Sequence, residues 1–318
     1  MRIDFKITGM GCDEYRWLGA FAVLAATMML IASMAGIGLK LPASIVVDKY
    51  MATILRLFPH VILVGLAGYG MAAVAQRRSS PAADLLHLLR DRFGTPASMA
   101  ATLGSILLAP VLMGSFGAMK MLMPFYRDFT WDDRLAGLDQ MLFLGWQPWQ
   151  ITHLLFGSEA ATRFLDVSYT LWVPAMFMAV MIAAFSGQSY LRARFLLAFG
   201  LGWALLGVAG AYAFASAGPC YAALIGAESA RAYAPLMSKL LAMSDGQPLG
   251  AVYWQQVLWD AYVDRKFGFA MGISAMPSMH NAMTSLYVLA LWTVSRTYRV
   301  AACLFWLIIF VGSIHLGW

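Results

Sequence analysis

The sequence predicts an all-α polytopic membrane protein, with about seven transmembrane helices in one bundle and further helices at the membrane surface. Composition is the first indication, because 61% of the 318 residues are hydrophobic and only 12% are charged. Soluble domains carry about 25% charged residues, so this chain has too little charge to cover a surface that faces water. Second, the apolar residues are grouped into stretches of roughly 20 residues, the length that crosses a hydrocarbon core.

Seven apolar runs give the predicted spans. The first run is longer than the core of a signal peptide, and acidic and basic residues both precede it, so we expect a retained helix. Pro59, Pro110 and Pro174 lie inside the runs and are tolerated there, because neighbouring helices satisfy the carbonyl groups that proline leaves free. The runs are residues 17–39, 54–75, 97–119, 167–186, 195–216, 277–295 and 300–318.

Two other segments predict helices that lie on the membrane surface. Ser80 and Pro81 are typical of a helix start, leucines follow on one face, and Gly94 is typical of a helix end. Residues 131–156 combine acidic side chains with tryptophan and leucine, and aromatic-rich amphipathic segments of this kind lie at the headgroup level. A plain connecting loop is the alternative for residues 131–156.

Basic residues in the short loops predict the orientation. The loops after the second, fourth and sixth spans carry arginine, whereas acidic residues offset the basic ones in the other loops. Since lysine and arginine are enriched in cytoplasmic loops, the N-terminus and the arginine loops are predicted to be cytoplasmic. We therefore expect a multi-pass protein of the plasma (inner) membrane, with the long loops 120–166 and 217–276 on the extracytoplasmic side. The arginines are Arg77, Arg78, Arg90, Arg92, Arg192, Arg194, Arg296 and Arg299.

Charge and cysteine content limit the partners that the sequence predicts. The net charge of +6 is modest. A basic membrane protein usually carries its excess of lysine and arginine on the cytoplasmic side, so we expect no nucleic-acid partner. Cys12, Cys220 and Cys303 are widely spaced and do not have metal-ligand spacing. We predict neither a metal site nor a cofactor.

The segment 272–281 has the pattern of an anion-binding helix start. Pro277 suits the first position of a helix. A helix that begins there directs free backbone N–H groups and its positive dipole end at the space above it, an arrangement that binds phosphate. His280 lies in the first turn, and Thr284 and Tyr287 continue a polar stripe on the same side.

A second histidine is predicted to lie at the same depth in the membrane. His280 is 16 residues before the turn at 296–299, and His315 is 16 residues after it. At equal rise per residue both imidazoles come near the outer face. Two imidazoles beside an anion-binding helix end can act as nucleophile and general acid in phosphoryl transfer.

Each histidine also has a structural interpretation. An interfacial histidine is more often a hydrogen-bonded structural residue, and we assign His60 and His153 to that class. For His280 the helix-start context favours a catalytic role, because ionisable groups in membrane spans are usually functional. For His315 both roles stay open.

The string Ala275-Met-Pro-Ser-Met-His280 resembles the second signature of the type 2 phosphatidic acid phosphatase superfamily, usually Pro-Ser-Gly-His. With Met279 in place of glycine it is more similar to the inositolphosphotransferase branch, which includes fungal inositol phosphorylceramide synthase. Residues 218–221 and 138–149 also resemble that branch. The resemblance covers about residues 130–318, so we predict a catalytic bundle there and N-terminal transmembrane helices in residues 1–129.

The resemblance implies a metal-independent mechanism, in which a histidine attacks phosphorus and His280 protonates the departing alkoxide. We find no match to the first signature, a lysine and an Arg-Pro pair, so the expected phosphate ligands are Ser278, Arg265 and Lys266. The third signature, His-x-x-x-Asp, is incomplete after His315. We therefore expect the attacking histidine to be either His315 or a residue beyond Trp318.

Two classes of function are consistent with these residues. The first is a lipid phosphotransferase or phosphatase that acts on a phospholipid headgroup at the outer leaflet, with water or an alcohol such as inositol or a lipid as the acceptor. The second is a non-catalytic scaffold, lipid-binding protein or transporter that uses the same bundle. Transporters more often carry ionisable residues at mid-membrane in repeated, interrupted helices, and no such repeat is found in this sequence.

Overall fold

A computed structural model describes residues 13–39 and 43–318, and within these ranges the chain forms helices and no strand. Cys12 lies outside the described residues. A π-helix, Trp203–Gly210, continues α9, and a short 3-10 helix occupies Pro219–Tyr221. The α-helices are α1 (Glu14–Ile37), α2 (Ala43–Ala75), α3 (Pro81–Phe93), α4 (Pro96–Tyr126), α5 (Asp132–Leu142), α6 (Pro148–Phe156), α7 (Glu159–Thr170), α8 (Trp172–Ala184), α9 (Ser189–Gly202), α10 (Ala211–Ala213), α11 (Ala230–Ser244), α12 (Gly250–Val263), α13 (Met279–Leu291) and α14 (Arg296–His315).

The fold class predicted from the sequence is confirmed. In the described part of the chain, six segments are long and apolar enough to cross a membrane: α1, α2, α4, the pair α7–α8, α9 with the π-helix and α10, and α14. The predicted sixth span, 277–295, is the exception. It is the 13-residue helix α13, which is shorter than the roughly 20 residues that cross a hydrocarbon core. It is short because Ser278 caps it at one end and the chain turns after Leu291 at the other.

The bundle is built around α4, which packs against α1, α2, α8 and the π-helix. Glycines allow α2 to approach α4 closely. A Cβ atom on Gly114 would lie 2.7 Å from the Val47 Cα atom, and one on Gly117 would lie 2.7 Å from the Tyr50 ring. α2 itself starts eleven residues before the predicted run, at Ala43.

One end of the bundle is anchored by a buried charge. The Arg192 side chain is fully buried, forms an ion pair with Glu14 of α1, and donates to the Ala184 carbonyl at 3.3 Å. A buried charge needs such partners, because loss of either one leaves an uncompensated ion in an apolar environment. This end is the one predicted to be cytoplasmic.

The surface segments form the helices that the sequence predicts. α3 begins at Pro81 after Ser80 and ends before Gly94. Residues 131–156 form α5 and α6, so the alternative of a plain connecting loop is wrong. The chain between these two helices is strongly apolar and exposed, with Leu144 93% accessible.

Aspartates connect the helices at the opposite end of the bundle by capping backbone N–H groups. Asp132 accepts from the N–H groups of Ala217 and Gly218 at 3.0 and 2.7 Å. The Asp166 carboxylate accepts from the backbone N–H groups of Gly250 and Ala251, the first two residues of α12, at 2.7 Å each. Burial raises the pKa of Asp132 despite these bonds, whereas the bonds from Ser229 lower the pKa of Asp133. The carboxylates thus hold segments 217–229 and 249–263 against the bundle.

Candidate active site

The start of α13 is held in place by close packing against α9 and the π-helix. A Cβ atom on Gly210 would lie 2.8 Å from the Pro277 side chain, and one on Gly207 would lie 3.4 Å from the Met279 sulfur. A larger residue at Gly210 would displace the Pro277 segment, whereas one at Gly207 would first meet the Phe116 ring at 2.8 Å. π-helical turns are rare and occur frequently at functional sites, and this one forms the wall behind the 277–280 segment.

The helix starts two residues later than the sequence pattern predicts. Ser278 is the N-cap and its hydroxyl accepts from the backbone N–H of Asn281 at 3.5 Å, so Met279 is the first helical residue and Pro277 lies outside the helix. The prediction that Pro277 is the first helical residue is wrong, because the Ser278 side chain caps the Asn281 N–H and the helix begins after it. His280 is still in the first turn, next to the free N–H groups and the positive end of the helix dipole.

His280 is half-buried and lies between aromatic rings. Its imidazole stacks on Tyr169 with ring centroids 4.4 Å apart and an interplanar angle of 12°, and it contacts Trp172 at 3.9 Å. The rings fix the plane of the imidazole without using its nitrogen atoms. A nitrogen that no hydrogen bond occupies can exchange a proton with a ligand.

Lys120 is a residue of the site that the sequence analysis missed. It is half-buried in the last two turns of α4, and its positive charge adds to burial in lowering the pKa of His280. Within residues 13–39 and 43–318 it forms no ion pair. The loop before α13 crosses at this point, since a Cβ atom on Gly272 would lie 3.1 Å from the Lys120 carbonyl carbon. A cation without a counter-ion beside a helix N-terminus provides two attractions for one anion.

The surroundings of His315 differ from those of His280. The ring of His315 is fully buried, its Nε2 atom lies 2.9 Å from the Thr162 hydroxyl, and it stacks on His153 with centroids 3.7 Å apart and an angle of 3°. The Nε2 atom of His153 lies 2.9 Å from the His315 carbonyl oxygen. Burial lowers the pKa of His153, with the positive charge of Lys239 in the same direction. Among the described residues, neither buried Nδ1 atom has a hydrogen-bond partner.

α13 and α14 place the two histidines at corresponding positions but not in one pocket. The Asn281 side-chain amide of α13 donates to the Ser313 hydroxyl of the antiparallel helix α14 at 3.2 Å. His280 is one residue beyond Asn281 towards the outer end, and His315 is two residues beyond Ser313. Their contacts on α7 are Tyr169 and Thr162, seven residues apart, which is about 10 Å along the helix axis.

The remaining predicted phosphate ligands lie nearer the surface. Arg265 packs its guanidinium group over the Phe125 ring at 5.3 Å, and Lys266 forms an exposed 2.7 Å ion pair with Asp264, which raises the pKa of Lys266. Both side chains line a shallow cavity that Gly272 also lines. Their roles, and those of Ser278, His280 and His315, stay predictions.

The chain matches the family model of the PAP2 superfamily over residues 133–318, more than half of its length, and it therefore belongs to this superfamily. The superfamily comprises phosphatases and phosphotransferases. No curated protein and no solved structure matches the chain. α13, α14 and the aromatic contacts of His280 lie inside the matched region, whereas Lys120 lies before it.

Proposed function

We propose that this protein is a membrane phosphotransferase or phosphatase that cleaves the phosphate ester of a phospholipid headgroup. The observation that supports it most is the position of His280 in the first turn of α13, where the ring lies against Tyr169 and Trp172 and within range of the Lys120 charge. Superfamily membership supports the same class of reaction.

In the proposed reaction the phosphate lies between the first turn of α13 and the Lys120 ammonium group. A nucleophile attacks phosphorus, the bond to the ester oxygen breaks, and His280 gives its proton to the departing alkoxide. Burial and the positive charge of Lys120 both lower the pKa of His280, so the bound phosphate anion must offset them to give the protonated imidazole that this step requires.

The nucleophile is proposed to be a histidine, so that a phospho-histidine forms and is then attacked by water or by an alcohol. His315 remains the candidate within the described residues. For this role its imidazole must leave Thr162 and the His153 ring, because a buried and hydrogen-bonded nitrogen cannot reach phosphorus. An inositolphosphotransferase-like reaction is the case in which the alcohol is inositol. The site is proposed to face the extracytoplasmic side.

The test is phosphate release or transfer from a panel of phospholipids by the purified protein in detergent, with and without inositol or ceramide as acceptor. We expect His280→Ala to lower the rate by about 100- to 10,000-fold, the usual contribution of a general acid. His60→Ala is the matched control, because His60 is exposed on α2 and bonds only to the Arg56 carbonyl in the described structure. Equal activity in wild type and His280→Ala would contradict the proposal.

The buried state of His315 favours one second candidate, a lipid-binding protein without turnover. In that case the wild type would bind phospholipid and neither release nor transfer phosphate with any acceptor. The same panel, combined with a binding measurement, separates the two functions.

A further inference from the structure

His280 carries a proton in the proposed reaction, although three features of its surroundings favour the neutral ring. Burial and the positive charge of Lys120 both lower the pKa of His280. The first turn of α13 also places the ring at the positive end of the helix dipole, which disfavours a cation. Groups that favour a positive charge are therefore needed beside this ring, in addition to the bound phosphate.

Two aromatic rings cover the faces of the His280 imidazole. The Tyr169 ring lies 4.4 Å from it at an angle of 12°, and the Trp172 ring lies 3.9 Å from it at 31°, centroid to centroid. Two rings this close to the imidazole would overlap on one face, so they lie on opposite faces. The edge that carries the nitrogen atoms stays open, because in the described structure no hydrogen bond occupies either nitrogen and neither is sealed from solvent.

The surrounding helices hold both aromatic rings in place. Tyr169 and Trp172 are three residues apart at the junction of α7 and α8, and both are buried. Gly312 of α14 lies against the Tyr169 ring, since a Cβ atom there would be 3.2 Å from the Cδ2 atom. The Trp203 ring of the π-helix lies 6.4 Å from Trp172. The two faces are therefore in position before a ligand binds.

Aromatic faces attract cations, because the π electrons make the face of a ring negative. The attraction extends to about 6 Å from the ring centroid, is largest for tryptophan, and increases where water is excluded. Both distances to His280 are within this limit. A neutral imidazole between two such faces gains only stacking, whereas an imidazolium also gains the electrostatic attraction. The pair of faces therefore favours the protonated ring.

The stack at His315 lacks this effect. His315 lies on the His153 imidazole with centroids 3.7 Å apart and an angle of 3°. The second ring is itself ionisable there, so a positive charge on one imidazole opposes a positive charge on the other. Stacking alone thus does not favour a cation, and the chemistry of the partner rings distinguishes His280.

We propose that Tyr169 and Trp172 are positioning residues that stabilise the protonated form of His280 by cation–π contact. The inference rests on the proposed function and adds the residues that prepare its general acid. In the reaction the imidazolium gives its proton to the departing ester oxygen and becomes neutral. A general acid is most efficient when it is protonated near the working pH, and the two faces offset the burial, the dipole and Lys120, which oppose protonation.

Few other ionisable groups face this ring. Lys120 on α4 is the charged group that acts on His280, and Tyr169 on α7 is itself titratable, with Cys220 near enough to interact with it. His315 on α14 contacts α7 seven residues away from Tyr169. α8 and the π-helix contain no ionisable residue, and α9 carries its arginines in its first two turns, at the opposite end. The charged residues 264–266 lie nearer the surface.

The first experiment measures kcat/KM against pH with a phosphodiester lipid that the wild type cleaves, because the charge of such a lipid is constant near neutral pH. The rate depends on protonated His280 and falls as the pH rises through the pKa of this ring in the free protein. We expect Tyr169→Leu and Trp172→Leu each to shift this fall to lower pH by about one unit, the size of a desolvated cation–π contact. Tyr169→Phe keeps the aromatic face and should shift it by less than about 0.3 units.

The matched control for these variants is Phe177→Leu. Phe177 is a buried ring of α8 that packs on Phe269 and does not contact His280. A purely structural role of the rings would lower the rate without moving the pH at which it falls. An unmoved fall in both leucine variants, an equal shift in Phe177→Leu, or a full shift in Tyr169→Phe overturns the inference.

The second experiment does not depend on activity. Protein labelled with carbon-13 at histidine Cε1 is titrated by NMR in detergent with excess sodium sulfate, a tetrahedral anion of constant charge, and His280→Gln identifies the signal. We expect the wild-type signal to titrate between about pH 5 and 7, and about one unit lower in Trp172→Leu. A ring that is still neutral at pH 5 in wild type, or equal midpoints in both proteins, overturns the inference. If wild type cleaves no lipid, the proposed function fails while this titration still tests the two faces.

Discussion

His280 and His315 lie at corresponding positions on neighbouring helices and have opposite surroundings. His280 is half-buried between flat aromatic faces, with Lys120 beside it, and in the described structure no hydrogen bond occupies its ring. His315 is fully buried, bonded to Thr162 and stacked on His153. Two histidines at corresponding positions of paired helices can thus differ, one ring open to a ligand and the other joining three helices.

Among the variants that test this comparison, we expect the largest effect, on the rate of phosphate release, from Lys120→Met. Loss of the only cation that interacts with His280 in the described residues should lower phosphate release by about 100-fold, the usual cost of removing one donor to a developing anion. The measurement is kcat/KM with a long-chain phospholipid. Lys266→Met is the matched control, because Lys266 is exposed and paired with Asp264. A larger loss in Lys266→Met would move the phosphate towards the surface cavity.

The next effect concerns stability at the other histidine. His315→Ala removes a buried ring and its bond to Thr162, and we expect the free energy of unfolding to fall by about 2–4 kcal/mol, as for other large-to-small changes in a core. The thermal midpoint in detergent measures this, with His60→Ala as the exposed control. Labelling with a phosphate-labelled lipid in the same preparation is a second readout. An unchanged midpoint with complete loss of phospho-enzyme would identify His315 as the nucleophile and contradict the structural role.

The smallest effect is a pH dependence of stability from His153. Burial lowers the pKa of His153, so the folded protein binds fewer protons than the unfolded chain below about pH 6.5. Stability is therefore retained above that pH and declines as the pH falls, by up to about 1.4 kcal/mol per pH unit. His315 and Lys239 are the ionisable groups that face it. We expect a midpoint lower by about 2–4 °C at pH 5.5 than at pH 7.5, and a smaller difference in His153→Gln. An equal difference in both proteins would contradict this assignment.

The fold was largely predictable, because apolar runs report directly on membrane spans. The first and last residues of the helices were less predictable. α2 extends the predicted run at its N-terminal end, since Ala43 and Val46 pack into the core although residues 43–53 are less apolar than residues 54–75. α13 is shorter than predicted because Ser278 can cap the helix, and whether a serine or the preceding proline starts a helix depends on tertiary packing, here against Gly207 and Gly210.

The candidate site was only partly predictable. The Pro-Ser-Met-His string marks His280, but its partners Tyr169 and Trp172 are more than 100 residues away in the sequence. Lys120 directly follows the third apolar run and is the first charged residue after it, a signal that could have been used. His153 was assigned a structural role from the sequence, but its stacking on His315 could not be predicted, because it depends on how α6 packs against α14.

The capping aspartates have a consequence for the compartments in which the fold can exist. Cys220 and Cys303 are free thiols, so among the described residues the capping aspartates, and no disulfide bond, hold segments 217–229 and 249–263. Reductants leave such attachments intact, because a carboxylate–amide contact has no redox chemistry. These attachments therefore persist in a reducing environment as well as in an oxidising one, and they form without a thiol oxidase.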